Sequence, residues 1–277
     1  MAKGIGLIGN FKGKVGNMVG YKLTASNSGN TQGVRVYQPI VKNPKTSAQA
    51  EQRAKLAPIN ATYRALKMII DRGNESLPYG NKSRLAWLKQ AFKAEQMVWF
   101  EKGKTITEVL ICQLTKGSIP VSFLPVGGES FLTLGINGVT SAGTTTIGQL
   151  STAMIAATSG LKAGDQVTFV AVGGGINGIN TYVESIVLNP TSTDNIPSYL
   201  QISDNEVVYM NGKHQTAYAV IVSREGDNGE HLRNTAYLIQ SDDYDTDCTN
   251  DASKADAIKS YQSSAAINAD WAEESIQ

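Results

Sequence analysis

The sequence predicts an α+β chain in four parts. These are an extended glycine-rich basic arm or β-hairpin over residues 1–42, a basic helical hairpin over 43–104, an antiparallel, immunoglobulin-like β-sandwich over 105–241, and an acidic loop with a C-terminal helix over 242–277. Three observations carry this prediction. The apolar period changes from helical spacing to strict alternation near Thr105. Glycine (27 residues) far outnumbers proline (8), and the second half is crowded with Ser, Thr and Asn, a composition that suits strands and turns. Charge divides along the chain: Met1–Lys104 holds 18 Lys and Arg against 5 Asp and Glu, whereas Thr105–Gln277 holds 7 against 19.

The first 42 residues are punctuated by glycine and short of helix formers. VGYKLTA and GVRVYQPIV read as strands, the second by its alternation of Val34, Val36 and Gln38 with Arg35, Tyr37 and Pro39. Asn43-Pro44 is a turn, because a residue before proline avoids the helical region. Thr46 then reads as an N-cap, with Gln49 completing a capping box. Leu56, Ile59, Tyr63, Leu66 and Ile70 recur at steps of three and four, the mark of one apolar stripe. Pro58 is expected to kink or split this helix, and Gly73 to end it. Ser83 caps a second helix with Leu85, Leu88, Phe92 and Trp99 on one face, closed by Gly103.

Beyond Thr105 the runs ITEVLICQL, VSFLPV, FLTLGI, QVTFVAV, TYVESIVL, EVVYM, TAYAVIVSRE and TAYLIQS read as strands of a sandwich. Ser151–Thr158 reads as a short helix. DDYDTDCTND reads as an acidic loop, and KADAIKSYQSSAAINADWAEESI as a terminal helix marked by Ile258, Tyr261, Ala265 and Trp271.

Chemistry is sparse. Cys112 and Cys248 lie far apart without CxxC spacing, which argues against a disulfide scaffold and a structural zinc site. Only His214 and His231 offer imidazoles, and both read as surface histidines. Gly4-Ile5-Gly6-Leu7-Ile8-Gly9 fits GxGxxG, but no strand has room before it. The copy at Gly173–Gly178 is followed by a strand rather than a helix, so neither is expected to hold a dinucleotide. Gly13-Lys14 resembles the end of a P-loop, but Ile8 stands where glycine belongs and Val15 where Ser or Thr would hold magnesium. Asp243, Asp245, Asp247 and Asp251 are spaced somewhat like a calcium loop. Cys248 replaces its glycine and Lys254 its bidentate Glu, which leaves Asp243, Asp245 and Asp247 as a weak cation site. Trp87 and Trp99 could stack on bases, but beside Leu88 and Phe92 they fit a core better. No cofactor is expected, and no catalytic constellation stands out. No signal peptide is expected from the opening residues, which are too short and glycine-rich for an apolar core, and no run of about 18 apolar residues long enough to span a membrane stands out.

Three pieces carry a resemblance: GLIGNFKGKVGNMVGYK, NPKTSAQAEQRAKL and AYAVIVSREGDNGEHLRNTAYL. They look like an uncharacterised family encoded by gut-type bacteria and their phages. In that family a GKVGxxVG arm leads into an NPxTxxQxxR helix, and a β domain closes on two strands around a turn. Here Arg53 stands one place beyond the pattern's arginine. The helix also resembles a segment of phage structural proteins. The resemblance implies no activity; it points to a virion component assembled in the host cytoplasm.

The expectation is therefore a non-enzymatic structural protein of a phage head, connector or tail, forming homo-oligomers. Its partners are copies of itself and other virion proteins, with DNA as a further candidate, and neither a membrane nor a small-molecule substrate. Contacts to acidic surfaces or nucleic acid fall to Lys12, Lys14, Lys22, Arg35, Arg53, Lys55, Arg64 and Lys67. Gly13, Gly16 and Gly20 supply backbone freedom. The alternatives are a DNA-binding protein that uses residues 1–104, and a carbohydrate- or receptor-binding β-sandwich.

Overall fold

The computed structural model describes residues 13–15, 17–22, 32–36, 46–121, 132–135, 145–203, 206–209 and 216–262. The chain is α+β, with five α-helices and antiparallel sheets among these residues. It forms two compact units, Met1–Lys45 and Thr46–Gln277.

The first unit contains an antiparallel sheet of β1 (Gly13–Val15), β2 (Met18–Lys22) and β3 (Gln32–Val36), in that order. β1 and β2 form a tight hairpin, with Val15 opposite Met18 and Gly13 opposite Gly20. The expected strands are thus present at VGYK and GVRV. Lys12, Gly16 and the first GxGxxG lie outside the described residues, as do His214, Ala265 and Trp271.

In the second unit, α1 (Ser47–Ala65) begins at Thr46, whose side chain accepts the Gln49 N–H at 3.3 Å. The helix runs through Pro58 and breaks instead at Leu66, after which α2 (Lys67–Ile70) adds one turn. Of the expected stripe Ile59, Leu66 and Ile70 are buried and Tyr63 is half-buried, whereas Leu56 is exposed, and Ala50, Ala54, Pro58 and Thr62 also face inward. α3 spans Asn81–Ala91 and is preceded by Gly80 (φ 86°), not capped by Ser83. Ser83 is buried and donates to the Ile70 carbonyl at 2.8 Å. Leu85 and Phe92 are exposed, and Trp99 lies beyond the helix.

The remaining strands are β4 (Gln113–Thr115), β5 (Leu132–Gly135), β6 (Gln166–Gly175), β7 (Gly178–Val187), β8 (Leu200–Ser203), β9 (Glu206–Tyr209), β10 (Ala217–Glu225), β11 (His231–Arg233), β12 (Ala236–Tyr237) and β13 (Ile239–Gln240). The central sheet runs β11-β10-β6-β7, with β13 also paired to β10, and all its pairings are antiparallel. β6 and β10 alternate between two cores, as the period of two requires. Val167, Phe169, Ala171, Tyr218, Val220 and Val222 pack against the second sheet, β5-β9-β8, and against α4 (Ile147–Ala157). Val170, Val172, Ala217, Ala219 and Ile221 pack against Ile59, Leu66, Ile70, Trp87 and Leu110 from the helical side. Burial on both faces explains why β6 reads as an unbroken apolar run.

Three strand expectations change. ITEVLICQL is a strand only from Gln113; Val109 and Leu110 are buried in irregular backbone, which Thr62 and Tyr244 satisfy through hydrogen bonds to Leu110 N–H and the Val109 carbonyl. TAYLIQS divides between β12, which pairs with β4, and β13, which pairs with β10. Of VSFLPV, Val121 lies outside any strand and the rest lies outside the described residues. α4 starts earlier than expected, at a full capping box of Thr146 and Gln149. A 3-10 turn at Thr246–Thr249 leads into α5 (Asp251–Gln262), whose Ala257 packs with Ala54 and Trp99.

Candidate functional site

The surface with the most chemistry lies between α2 and α3 and is completed by β11. Gly73 sits so close to β4 that a Cβ there would lie 2.4 Å from the Leu114 carbonyl oxygen, so no larger residue fits. Asn74 bridges to Lys116, and the Glu75 N–H donates to the Lys116 carbonyl at 3.0 Å. The Glu75 carboxylate then acts as a staple. One oxygen accepts from the Ser118 hydroxyl at 2.7 Å; the other accepts from the Ser118 and Arg233 N–H groups, both at 2.9 Å. Burial alone would raise its pKa, but these donors outweigh burial and hold it below the usual carboxylate value.

This staple brings Arg233 beside the loop's exposed aromatic, Tyr79. The Arg233 and Arg72 guanidiniums lie 5.7 and 5.9 Å from the Tyr79 ring centre, and the His231 ring stacks on it at 6.3 Å and 25°. Tyr79 is 52% exposed. Among the described residues neither guanidinium has a carboxylate within ion-pair distance. Burial pushes the Arg233 pKa down, and the like charge of Arg72 acts in the same direction, against the pull of Tyr79 and Glu75. On the adjacent helix surface, Arg84 lies 4.4 Å over Tyr63, whose hydroxyl donates to Asp71 at 2.9 Å.

The residues expected to make contacts are distributed differently. Arg64 and Lys67 are exposed around the α1–α2 break, and Arg53 is half-buried on α1. Lys55 is taken up within the chain: its ammonium pairs with Glu51 at 2.9 Å and lies 5.9 Å from the Trp99 ring, which it shares with Lys254 at 5.5 Å. Lys14 is exposed on β1; Lys22 ends β2, and Arg35 pairs with Val19 in the β2–β3 ladder. Gly20 is buried opposite Gly13. Trp87 and Trp99 are only 5% and 6% exposed, so they are core, whereas Tyr79 meets solvent, as do Tyr237 and Phe92.

The second GxGxxG is a hairpin tip: Gly175 pairs with Gly178, Ile176 is exposed, and no helix follows. Asp245 caps the 3-10 turn by accepting the Asp247 N–H at 2.9 Å. Among the described residues, no group of three or more His, Cys, Asp or Glu is placed to hold a metal ion. Both cysteines are free, and burial pushes each thiol up to about 12, so both stay protonated near neutral pH. Beside them lies a group that the sequence reading passed over. Glu108 is buried, and burial raises its carboxyl to about 7 despite the Thr216 hydroxyl and the Asp245 N–H; its second oxygen has no partner among the described residues. A lone Glu inside ITEVLICQL was the available signal.

Comparison of the chain with models of known protein families, with curated proteins and with solved structures finds no match in any of the three.

Proposed function

We propose that the chain is a non-enzymatic structural component of a bacteriophage particle, in the head, connector or tail region. It assembles as a homo-oligomer through its basic N-terminal and acidic C-terminal parts. The observation that carries this reading is the charge split, +13 over Met1–Lys104 and −12 over Thr105–Gln277. Complementary surfaces on one chain favour head-to-tail contacts, which close into rings or grow into tubes. The glycine-rich residues 1–42 act as an arm towards a neighbouring subunit, and the virion is the place of residence. The β-rich part follows an immunoglobulin-like sandwich, a reading supported by two antiparallel sheets that share one core through the Phe169–Tyr209 ring contact at 5.3 Å.

Light scattering on the purified chain at low and high salt tests the proposal. Discrete oligomers that form without DNA and dissociate as salt rises are the expected result, because exposed charge pairs are screened. A monomer at every concentration and salt would overturn it.

A further inference from the structure

We propose that Arg72, Arg233 and Tyr79 form a binding site for single-stranded nucleic acid, with a phosphate held between the two guanidiniums and a base stacked on the Tyr79 ring.

Two guanidiniums lie within 6 Å of one ring centre, and among the described residues neither has an ion-pair partner. The nearby carboxylates are engaged elsewhere: Asp71 accepts from Tyr63, and Glu75 accepts three bonds from Ser118 and the Arg233 backbone. A half-buried guanidinium next to a like charge is unfavourable unless an anion completes it. Phosphate fits best, because its oxygens match the planar fork of arginine in a bidentate geometry. Exposed Lys82 at the start of α3, and exposed Lys116 paired to Asn74, add positive charge around the loop.

The ring decides what carries the phosphate. Tyr79 stays half exposed although Arg72, Arg233 and His231 all lie against its ring, and the part of the ring left open can stack on a base, a contact that tolerates any sequence. A duplex hides its base faces and uses only the cations. The loop is also held in place, by the Glu75 staple and by the Gly80 N–H bond to the Asp71 carbonyl at 2.8 Å, so little ordering is needed on binding.

The test is fluorescence anisotropy of a labelled oligothymidylate, about 16 nucleotides long, with a duplex of equal length in a parallel titration. The salt dependence of each affinity is recorded. Tyr79→Ala is expected to weaken single-strand binding roughly tenfold and duplex binding hardly at all, and Tyr79→Phe to restore it. Arg72→Ala is expected to lower the single-strand salt slope by about 0.7, the contribution of one phosphate contact. Arg72 is exposed and unpaired among the described residues, so this variant should fold normally, as its melting curve would verify. Lys93→Ala, beyond the far end of α3, removes the same charge and serves as the control. Absence of binding, a Tyr79→Ala protein that binds like the unmodified chain, or an Arg72→Ala effect no larger than that of Lys93→Ala would each overturn the proposal. The assembly reading is tested without nucleic acid, so the two can fail separately.

Discussion

Glu108 is the residue at which the interior responds to pH. Its carboxyl titrates near 7 in the folded chain, against an ordinary value of 4.5, because burial penalises the charged form. Below pH 4.5 both the folded and unfolded states hold the proton, and pH has no effect through this group. Between 4.5 and 7 the unfolded chain has lost the proton while the folded chain keeps it, so stability falls as pH rises. Above 7 the full loss, on the order of 3 kcal/mol, persists. Glu108→Gln is expected to flatten this slope, with melting temperatures that match the unmodified protein near pH 4 and exceed it at pH 8. Thermal melts across that range check the outcome; parallel curves at every pH would contradict it. At this scale the sequence was only half legible. Trp87 and Trp99 could be assigned to the core from helical spacing, whereas the meeting of Tyr79 with Arg233 spans 154 positions and depends on tertiary bonds from Glu75 that no local pattern encodes.

At the scale of elements, the hairpin β6–β7 and the strand β10 were legible because their alternation and glycine turns are local. The 106–112 segment was not, because the buried irregular backbone at Val109 and Leu110 is satisfied by side chains from α1 and a distant turn, nor was the division of TAYLIQS between two partner strands. One side-chain pair fixes how β10 leaves the sheet. Arg224 donates to both oxygens of Asp165, at 2.6 and 2.7 Å, and to the Gly160 carbonyl at 2.8 Å, while Asp165 also accepts the Lys162 N–H at 2.8 Å. The end of β10 is thereby tied to the turn that feeds β6. The Asp165 side chain is 1% exposed, so Asp165→Ala leaves the partly buried Arg224 guanidinium without its carboxylate, with the Gly160 carbonyl as its one remaining described partner, and is expected to cost about 3–5 kcal/mol. Changing both residues, Asp165→Ala with Arg224→Met, should cost less than the sum of the single changes by about 1–3 kcal/mol. Urea midpoints of the four proteins close the cycle; simple additivity would mean that the pair is not coupled. At the start of α4, Gly148 meets a similar limit of space, since a Cβ there would lie 2.4 Å from the Ser192 carbonyl oxygen. Gly148→Ala should lower stability by about 1–3 kcal/mol through overpacking.

For the whole molecule, the division into two units separates folding from assembly. Among the described residues, every buried member of the three hydrophobic clusters lies at or beyond Ala54, so a chain that begins at Thr46 keeps all of them. The same truncation removes seven Lys and Arg and no Asp or Glu, which turns a net charge of +1 into −6. The sequence reading separates residues 1–42 by composition, and the charge divides near Lys104, because composition and charge are one-dimensional properties; the boundary between the two units lies after Lys45. It did not predict that the helices of residues 46–104 would share a core with the central sheet, because their stripe does not name its partner. That sharing takes up one apolar face of the helices, while Leu56, Met68, Leu85 and Phe92 stay exposed among their charged residues. The truncated chain is therefore expected to melt within a few degrees of the full chain, since the described hydrophobic clusters all lie beyond the cut. It is also expected to lose the salt-sensitive oligomers, since its surface is left acidic and self-repelling. Calorimetry and light scattering on the same sample separate the two effects. A truncated chain that still oligomerises at low salt would move the contact to the cations of α1–α3; one that fails to melt cooperatively would show that residues 1–45 are part of the fold.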